Sequence, residues 1–214
     1  RSSTLDESES HHCLNVLRLE TGDRVTVFDG RGREASAIID SKAGQRVVLK
    51  ISSASKTPPP PCAITLAQAV PKGKNMDLIV QKAVELGAAR IIPLLSDRTI
   101  VQLDPDDIAK KREKWQAVAL EACKQCGQNH LPEVASPVSP KDFVERLDKK
   151  SLLIIASLQP DARTLKQVLS DFSAQHGSLP REVTVFVGPE GDFTPAEIAL
   201  AKSHGCRSEE HTSE

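Results

Sequence analysis

The chain has 214 residues, of which 39% are hydrophobic and 27% charged, and its formal net charge is −1. These values are ordinary for a soluble globular protein and allow one large domain, or one small and one medium domain. They exclude a globally basic nucleic-acid-binding surface, and no run of about 18 apolar residues offers a membrane-spanning helix.

The first part of the chain predicts a small, mostly β domain. A short helix is expected from about Glu9 to Leu19, with Gly22 as its C-cap. Alternating apolar residues then predict strands separated by turns at 29–32 and around Gly44. The strands are expected at 24–28, 34–39 and 45–51.

A proline run separates this part from the rest, because residues 58–61 are all proline and favour an extended, stiff connector. After it, strands alternate with helices, which predicts an α/β domain with a mainly parallel sheet. Asp104 and Thr194 are expected helix caps, each followed by a proline at the first helical position. The strands are predicted at 63–70, 91–95, 152–156 and 183–187, and the helices near 76–86, 105–126, 164–172 and 195–203.

The most specific short motif is the sequence GPEG at 188–191, which follows an apolar strand and precedes the helix at Pro195. Ligands of open α/β sheets bind at the carboxyl ends of strands, and glycines there let the backbone approach a ligand closely. A tight strand-to-helix turn without a ligand explains four such residues about as well. Since Glu190 and Asp192 would repel phosphate and no Lys-Ser/Thr follows, a cationic ligand such as a sulfonium is favoured.

Local positive charge marks candidate RNA contacts. Arg31 and Arg33 flank a turn tip in the β domain, a position suited to phosphates, although solubility alone would explain the modest excess of charge. Lys72 and Lys74 lie in the loop before the helix at 76–86. The candidate RNA-binding residues are Arg18, Arg31, Arg33, Lys72 and Lys74.

Cysteine usage indicates a reducing compartment and argues against a metal. The five cysteines are irregularly spaced, which fits a cytoplasmic protein better than a disulfide framework. Cys123 and Cys126, with His130 beyond, invite a zinc interpretation, but both cysteines lie on a helix and a fourth ligand is not evident. No metal site is therefore expected.

Four segments in order resemble one family, the bacterial 16S ribosomal RNA uridine-N3 methyltransferases of the SPOUT class. They are ESHHCLNVLRLETGDRVTVFDGRG at 9–32, KGKNMDLIVQKAVELG at 72–87, EACKQCGQ at 121–128 and GPEGDFTPAEI at 188–198. The resemblance runs from about Glu9 to Cys206. Each motif alone is weak, but four in order are specific.

The resemblance implies a PUA-like β-barrel at 1–57, a proline linker at 58–62 and a trefoil-knotted α/β methyltransferase domain at 63–206, with the knot incomplete in this chain. It implies a homodimer that binds S-adenosylmethionine and methylates N3 of one uridine in the 16S RNA of the small ribosomal subunit. The cofactor-binding residues it implies are Ser157, Leu158, Gly188, Pro189, Glu190 and Gly191.

The chemistry implied requires the methyl carbon to lie in line with N3 and the N3 proton to leave. A carboxylate that takes the proton, or a cation that stabilises the developing oxygen charge, would assist. Glu85, Glu121 and Arg98 are the catalytic candidates. Glu85 lies in the last turn of its helix, where it opposes the helix dipole, so a partner such as Lys82, Arg98 or a substrate group is expected, with a solvated charged face as the alternative.

The last residues depart from the family. Residues 207–214, RSEEHTSE, match the in-frame translation of a widely used sequencing adapter, so a non-native tail is expected there, with a natural polar tail as the alternative. Three other functions stay open: methylation of another RNA such as transfer RNA, a non-catalytic RNA-binding or ribosome-assembly role, and nucleotide binding, which the acidic loop disfavours.

Overall fold

The computed structural model describes residues 2–98, 104–147, 151–156, 162–189 and 192–209. The chain divides into two compact units between Pro59 and Pro60, inside the proline run. The predicted Ser157, Leu158, Glu190 and Gly191 lie outside the described residues.

The first unit is a four-stranded antiparallel sheet with a helical segment packed on it. The strand order is β1-β4-β3-β2. Apolar side chains that alternate along the strands form its core around Ile39, Val47 and Leu49, and Cys13 of the helical segment packs on them. The elements are β1 (Ser2–Thr4), α1 (Glu7–His11), β2 (Arg24–Phe28), β3 (Arg33–Ala43) and β4 (Arg46–Lys56).

The helix expected over 9–19 is shorter and less regular than predicted. Asp6 caps α1 by accepting a hydrogen bond from the Glu9 N–H at 2.8 Å, and a π-helical turn then covers His12–Val16. Arg18, with φ of 55°, takes the chain out of the helical conformation. Gly22 is therefore not the helix cap; its N–H donates to the Ile39 carbonyl at 2.8 Å and leads the chain into β2.

The second unit is a six-stranded sheet with the order β10-β8-β9-β5-β6-β7, in which every pairing is parallel. The predicted strands and long helices are all present, with ends that shift by a few residues. The strands are β5 (Ala63–Ala69), β6 (Arg90–Leu94), β7 (Glu133–Val134), β8 (Leu152–Ala156), β9 (Glu182–Val187) and β10 (Arg207–Glu209). The helices are α2 (Asn75–Glu85), α3 (Pro105–Cys126), α4 (Pro140–Val144), α5 (Leu165–His176) and α6 (Pro195–Ser203).

Both faces of this sheet are covered, which explains the continuous apolar runs of its strands. Leu153 and Ile155 point to the face that packs against residues of α4 and α6, together with Phe186. Leu152 and Ile154 point to the other face and pack against α5. Among the described residues, no helix is both long enough and apolar enough to cross a membrane.

Local sequence signals account for the helix ends. The Asp104 carboxylate accepts a hydrogen bond from the Asp107 N–H at 2.8 Å, and Gly127, with φ of 74°, closes α3. Thr194 and Glu197 form a capping box at the start of α6. A salt bridge of 2.6 Å between Lys114 of α3 and Asp77 of α2 joins the two neighbouring helices.

Candidate active site

The candidate site lies at the carboxyl edge of the parallel sheet. Because every pairing is parallel, the loops that follow β5, β6, β8 and β9 all leave the sheet at this edge. The loop after β9 starts at Gly188, and the preceding residue, Val187, pairs with Gln68 of β5 and Ala156 of β8. Gly188 is thus placed in the middle of the sheet, where α/β proteins bind their ligands.

Gly188 is a glycine because the loop folds back on it. A Cβ atom at this position would lie 3.1 Å from the Phe193 nitrogen and 3.2 Å from both the Cα and the Oδ1 atom of Asp192. These separations are tighter than ordinary van der Waals contact, and two of the three atoms belong to the backbone. A side chain at this position would therefore require the loop to move by a few tenths of an ångström.

The rest of this loop is held by hydrogen bonds and one buried anchor. The Asp192 N–H donates to the Pro189 carbonyl at 2.9 Å, which closes a tight turn. Asp192 has φ of 64°, a conformation that few residues other than glycine adopt, and its Oδ1 accepts a hydrogen bond from the Phe193 N–H at 2.7 Å. The Phe193 side chain is buried in the sheet core. The two ends of the loop are fixed to the core on both sides of residues 190–191.

Arg98 is the predicted catalytic residue that the structure brings to this loop. It lies just after β6, and its Nη1 donates to the Asp192 carbonyl at 3.3 Å. Arg98 is itself exposed, so its guanidinium lies at the surface of the carboxyl edge. A cation in this position is suited to stabilise negative charge that develops on a substrate oxygen.

Glu197 was predicted only as part of a helix cap, but it also joins two loops. Its carboxylate accepts hydrogen bonds from the Thr194 N–H at 2.8 Å and the Thr194 hydroxyl at 3.0 Å. It also accepts from the Ser96 hydroxyl at 3.1 Å and the Asp97 N–H at 3.0 Å. The only local signal for this link is a small hydroxyl residue, Ser96, placed just past the end of β6.

Glu85 is not brought to the carboxyl edge within the chain. It is the last residue of α2, which runs back from that edge toward the start of β6. Its carboxylate accepts hydrogen bonds from Lys82 Nζ at 2.7 Å and Gln81 Nε2 at 3.0 Å. Lys82 is one of the partners that the sequence suggested for Glu85. The Lys82 hydrogen bond lowers the pKa of Glu85 below its ordinary value, which weakens it as a base.

Glu121 lies in the last two turns of α3, which also runs away from the carboxyl edge. Its carboxylate forms an ion pair of 2.8 Å with Lys124, one turn further along. Of the three predicted catalytic residues, the structure therefore brings Arg98 to the GPEG loop and leaves the two carboxylates at the opposite end of their helices. Their catalytic roles stay predictions.

The predicted RNA contacts are exposed in both units. In the first unit, Arg31 lies in the turn before β3 and Arg33 is the first residue of β3; the Asp29 carboxylate accepts hydrogen bonds from their N–H groups at 2.7 Å and 3.1 Å. The hydrogen bond from the Arg31 N–H is the main reason that the pKa of Asp29 is lowered. Arg18 is exposed in the same unit, whereas Lys72 and Lys74 are exposed in the β5–α2 loop of the second unit.

The cysteines at the end of α3 do not form a metal site in the described part of the chain. The Cys123 thiol is buried and contacts the His130 carbonyl at 3.9 Å, and Cys126 contacts the Cys123 carbonyl at 4.0 Å. Burial raises the pKa of Cys123 to about 11, which opposes the thiolate that a metal requires. No group of three or more His, Cys, Asp or Glu side chains converges among the described residues.

Comparison with known proteins identifies the class to which this arrangement belongs. Residues 58–209 match the family model of an RNA methyltransferase domain, and residues 5–52 match that of an RNA methyltransferase PUA domain. The two matches define a two-domain RNA methyltransferase.

Individual relatives narrow this class. The ribosomal RNA small subunit methyltransferase E of Bacillus subtilis is 32% identical over 193 residues, which cover 89% of this chain and 74% of that protein. The protein of the same name from Synechocystis is 33% identical over 94% of this chain and 64% of its own length. The chain belongs to the ribosomal RNA small subunit methyltransferase E family, which confirms the resemblance seen in the sequence.

Two solved structures share the whole described fold. A methyltransferase from Legionella pneumophila, determined with bound SAM, superposes with a TM-score of 0.86 at 32% identity and covers 100% of this chain and 85% of its own. A ribosomal RNA small subunit methyltransferase E from Neisseria gonorrhoeae, bound to S-adenosyl methionine, gives a TM-score of 0.85 at 29% identity, with coverage of 100% and 85%. These similarities confirm the predicted fold class, a PUA-like domain followed by a SPOUT-type α/β domain. The knot closure stays a prediction.

Proposed function

We propose that the chain transfers the methyl group of S-adenosylmethionine to N3 of a uridine in the 16S RNA of the small ribosomal subunit. The observation that carries the proposal is the loop at the carboxyl edge of β9. The loop folds closely over Gly188, and the Arg98 guanidinium contacts the Asp192 carbonyl. Solved relatives with this fold carry the cofactor.

The residues of the described site fit S-adenosylmethionine better than a nucleotide phosphate. The loop after β9 offers backbone groups to an adenosine, as expected for a ligand at the carboxyl edge. Asp192 is acidic, which suits a sulfonium cation and disfavours phosphate. In this proposal Gly188 and Pro189 border the cofactor, together with the predicted segments 157–158 and 190–191.

The cofactor supplies an electrophilic methyl group on a positively charged sulfur. The protein must place uridine N3 in line with that carbon and must accommodate the loss of the N3 proton, which leaves negative charge on the neighbouring carbonyl oxygens. Arg98 is a cation at this edge, in contact with the loop after β9, and is suited to stabilise this charge. The exposed Arg31 and Arg33 of the first unit would hold the RNA backbone, without reading its sequence.

The oligomeric state and the compartment belong to the same proposal. The active form is a cytoplasmic homodimer, which size-exclusion chromatography with light scattering would test; a monomer at working concentration would contradict the dimer.

The experiment is methylation of small ribosomal subunits with radiolabelled S-adenosylmethionine, followed by nucleoside analysis of the RNA. The proposal expects 3-methyluridine in 16S RNA, and a loss of at least tenfold in rate for Arg98→Ala, in line with the removal of one charge-stabilising donor, which costs on the order of a hundredfold. Transfer RNA serves as the alternative substrate. Label in transfer RNA alone, or none in any RNA, would overturn the proposed substrate or the proposed activity, respectively.

A further inference from the structure

The carboxylate of Glu197 accepts more hydrogen bonds than a helix cap requires. A capping box needs one side-chain acceptor for the N–H of the cap residue, and Oε2 of Glu197 serves Thr194 in this way. The additional bonds come from Ser96 and Asp97, which lie about a hundred residues earlier in the chain. Glu197 therefore belongs to two local structures at once.

The two structures that Glu197 joins are not neighbours in the sheet. Ser96 and Asp97 follow β6, whereas Glu197 begins the helix that follows β9, and β5 lies between these two strands. The loops thus start two strand spacings apart, roughly 10 Å. Within the described parts of the two loops, the Glu197 side chain supplies hydrogen bonds that join one loop to the other.

The bridge continues from Glu197 to Arg98 and back to the loop after β9. Ser96 is only 4% exposed, and while its hydroxyl donates to Glu197 it accepts a hydrogen bond from the Arg98 N–H at 3.4 Å. The Arg98 guanidinium then contacts the Asp192 carbonyl. The segment after β6 is therefore joined to the segment after β9 at two places, Glu197 and Asp192.

We infer that Glu197 and Ser96 are positioning residues for the methyl transfer, and that they hold the Arg98 guanidinium at a fixed place relative to the cofactor loop. The inference rests on the proposed function. Among the described residues, the Glu197 carboxylate bonds to Thr194, Ser96 and Asp97. In this inference it acts through Ser96 and the backbone of Arg98. A shift of about 1 Å at a catalytic group is enough to reduce a rate on the order of a hundredfold.

Ser96→Ala separates positioning from capping. It removes the hydroxyl that joins Glu197 to the Arg98 backbone, while the three bonds between Thr194 and Glu197 remain. Ser203→Ala is the control, because it also removes one serine hydroxyl. That hydroxyl donates to the Leu200 carbonyl at the C-terminal end of α6, the helix to which Glu197 belongs.

The test compares the rates at which these variants and the parent chain methylate 16S RNA. The expected result for Ser96→Ala is a kcat lower by on the order of ten- to a hundredfold, with a dissociation constant for S-adenosylmethionine within threefold of the parent. Ser96→Thr restores the hydroxyl and recovers most of the rate, and Ser203→Ala is unaffected. The thermal midpoint of each variant shows that it is folded.

A second variant makes the test independent of Ser96. Glu197→Gln keeps the volume of the side chain but replaces one acceptor oxygen with a donor, so the link to Ser96 or Asp97 fails. If both residues act through the same bridge, the double variant loses no more rate than the more impaired single variant.

The possible results separate a failure of the positioning role from a failure of the proposed function. A parent that methylates the RNA, with a Ser96→Ala variant whose kcat lies within twofold of it, would overturn the positioning role and leave the proposed function intact. Rate losses that multiply in the double variant would also overturn the shared bridge. A parent that methylates no ribosomal RNA would overturn the proposed function, and this inference with it.

Discussion

Adding one methyl group at Gly188 is expected to destabilise the second unit and to weaken cofactor binding together. The new Cβ would lie 3.1 Å from the Phe193 nitrogen and 3.2 Å from the Asp192 Cα, whereas ordinary contacts are 3.4–4 Å. The loop must retreat by a few tenths of an ångström, although Phe193 is anchored in the core. Overpacking of this kind costs about 1–3 kcal/mol.

Part of that cost is offset in the unfolded chain. Replacing glycine by alanine reduces the conformational freedom of the unfolded state, which favours folding by about 0.4–1 kcal/mol where the native backbone tolerates alanine. The net expectation for Gly188→Ala is a loss of roughly 1–2 kcal/mol in the free energy of unfolding, measured by urea denaturation. Because the displaced loop borders the proposed cofactor site, we expect the dissociation constant for S-adenosylmethionine to rise on the order of tenfold.

Gly177→Ala is the matched control. Gly177 closes α5 with φ of 74°, and a Cβ there would meet nothing within 4 Å, so its cost is backbone strain alone. That cost is about 1–2 kcal/mol, similar to the cost at Gly188. The control should lose stability and keep its affinity for the cofactor. Equal cofactor affinity in Gly188→Ala and the parent, or full stability of Gly188→Ala, would refute the close-approach reasoning.

Three smaller predictions concern sites away from this loop. Ser208 pairs with Ile155, and within the described chain its hydroxyl is the buried side-chain polar atom that lacks a hydrogen-bond partner. Ser208→Ala should therefore raise the free energy of unfolding by about 1 kcal/mol in urea, and an unchanged midpoint would count against this. Asp29 has a pKa below its ordinary value of 3.8, so the stability from its ionised form is present above that pH and is lost as the pH falls through the folded-state pKa. As the pH falls below 3.8, the free energy of unfolding should decrease more in the parent than in Asp29→Ala. An identical dependence of that free energy on pH in the two proteins would contradict the role of the Arg31 amide. At pH 8, iodoacetamide should label the exposed Cys126 before the buried Cys123, whose pKa is raised to about 11, and mass spectrometry showing the reverse order would be inconsistent with their burial.

Elements with strong local signals were predictable from the sequence. Asp104 followed by a proline, and Thr194 followed by a proline and Glu197, fix helix starts through contacts within one turn. The apolar strands β8 and β9 were also predicted, because both of their faces are buried and leave a continuous hydrophobic run. In these cases the information lies within a few neighbouring residues.

Short edge elements were missed because their neighbours, and not their own residues, define them. β1 is Ser-Ser-Thr, with no apolar residue, and exists through its pairing with β4. β7 has only two residues, and β10 falls in the segment expected to be a non-native tail. Strands of this length carry no periodicity from which they could be recognised.

The candidate site divides in the same way. Gly188 was predicted from a local motif, and its close approach to Asp192 gives that motif a physical cause. The bridge from Glu197 to Ser96 was missed because it joins loops on strands that are not adjacent. Glu85 was chosen because a carboxylate is unfavourable in the last turn of a helix. Its hydrogen bond with Lys82, on the same helix, accounts for a carboxylate at that position.

The most direct test of the central claim is a calorimetric titration of S-adenosylmethionine, with ATP as the control ligand. We expect S-adenosylmethionine to bind and ATP not to bind. If S-adenosylmethionine does not bind, or if ATP binds as well, the proposed cofactor and the methyl transfer built on it are contradicted.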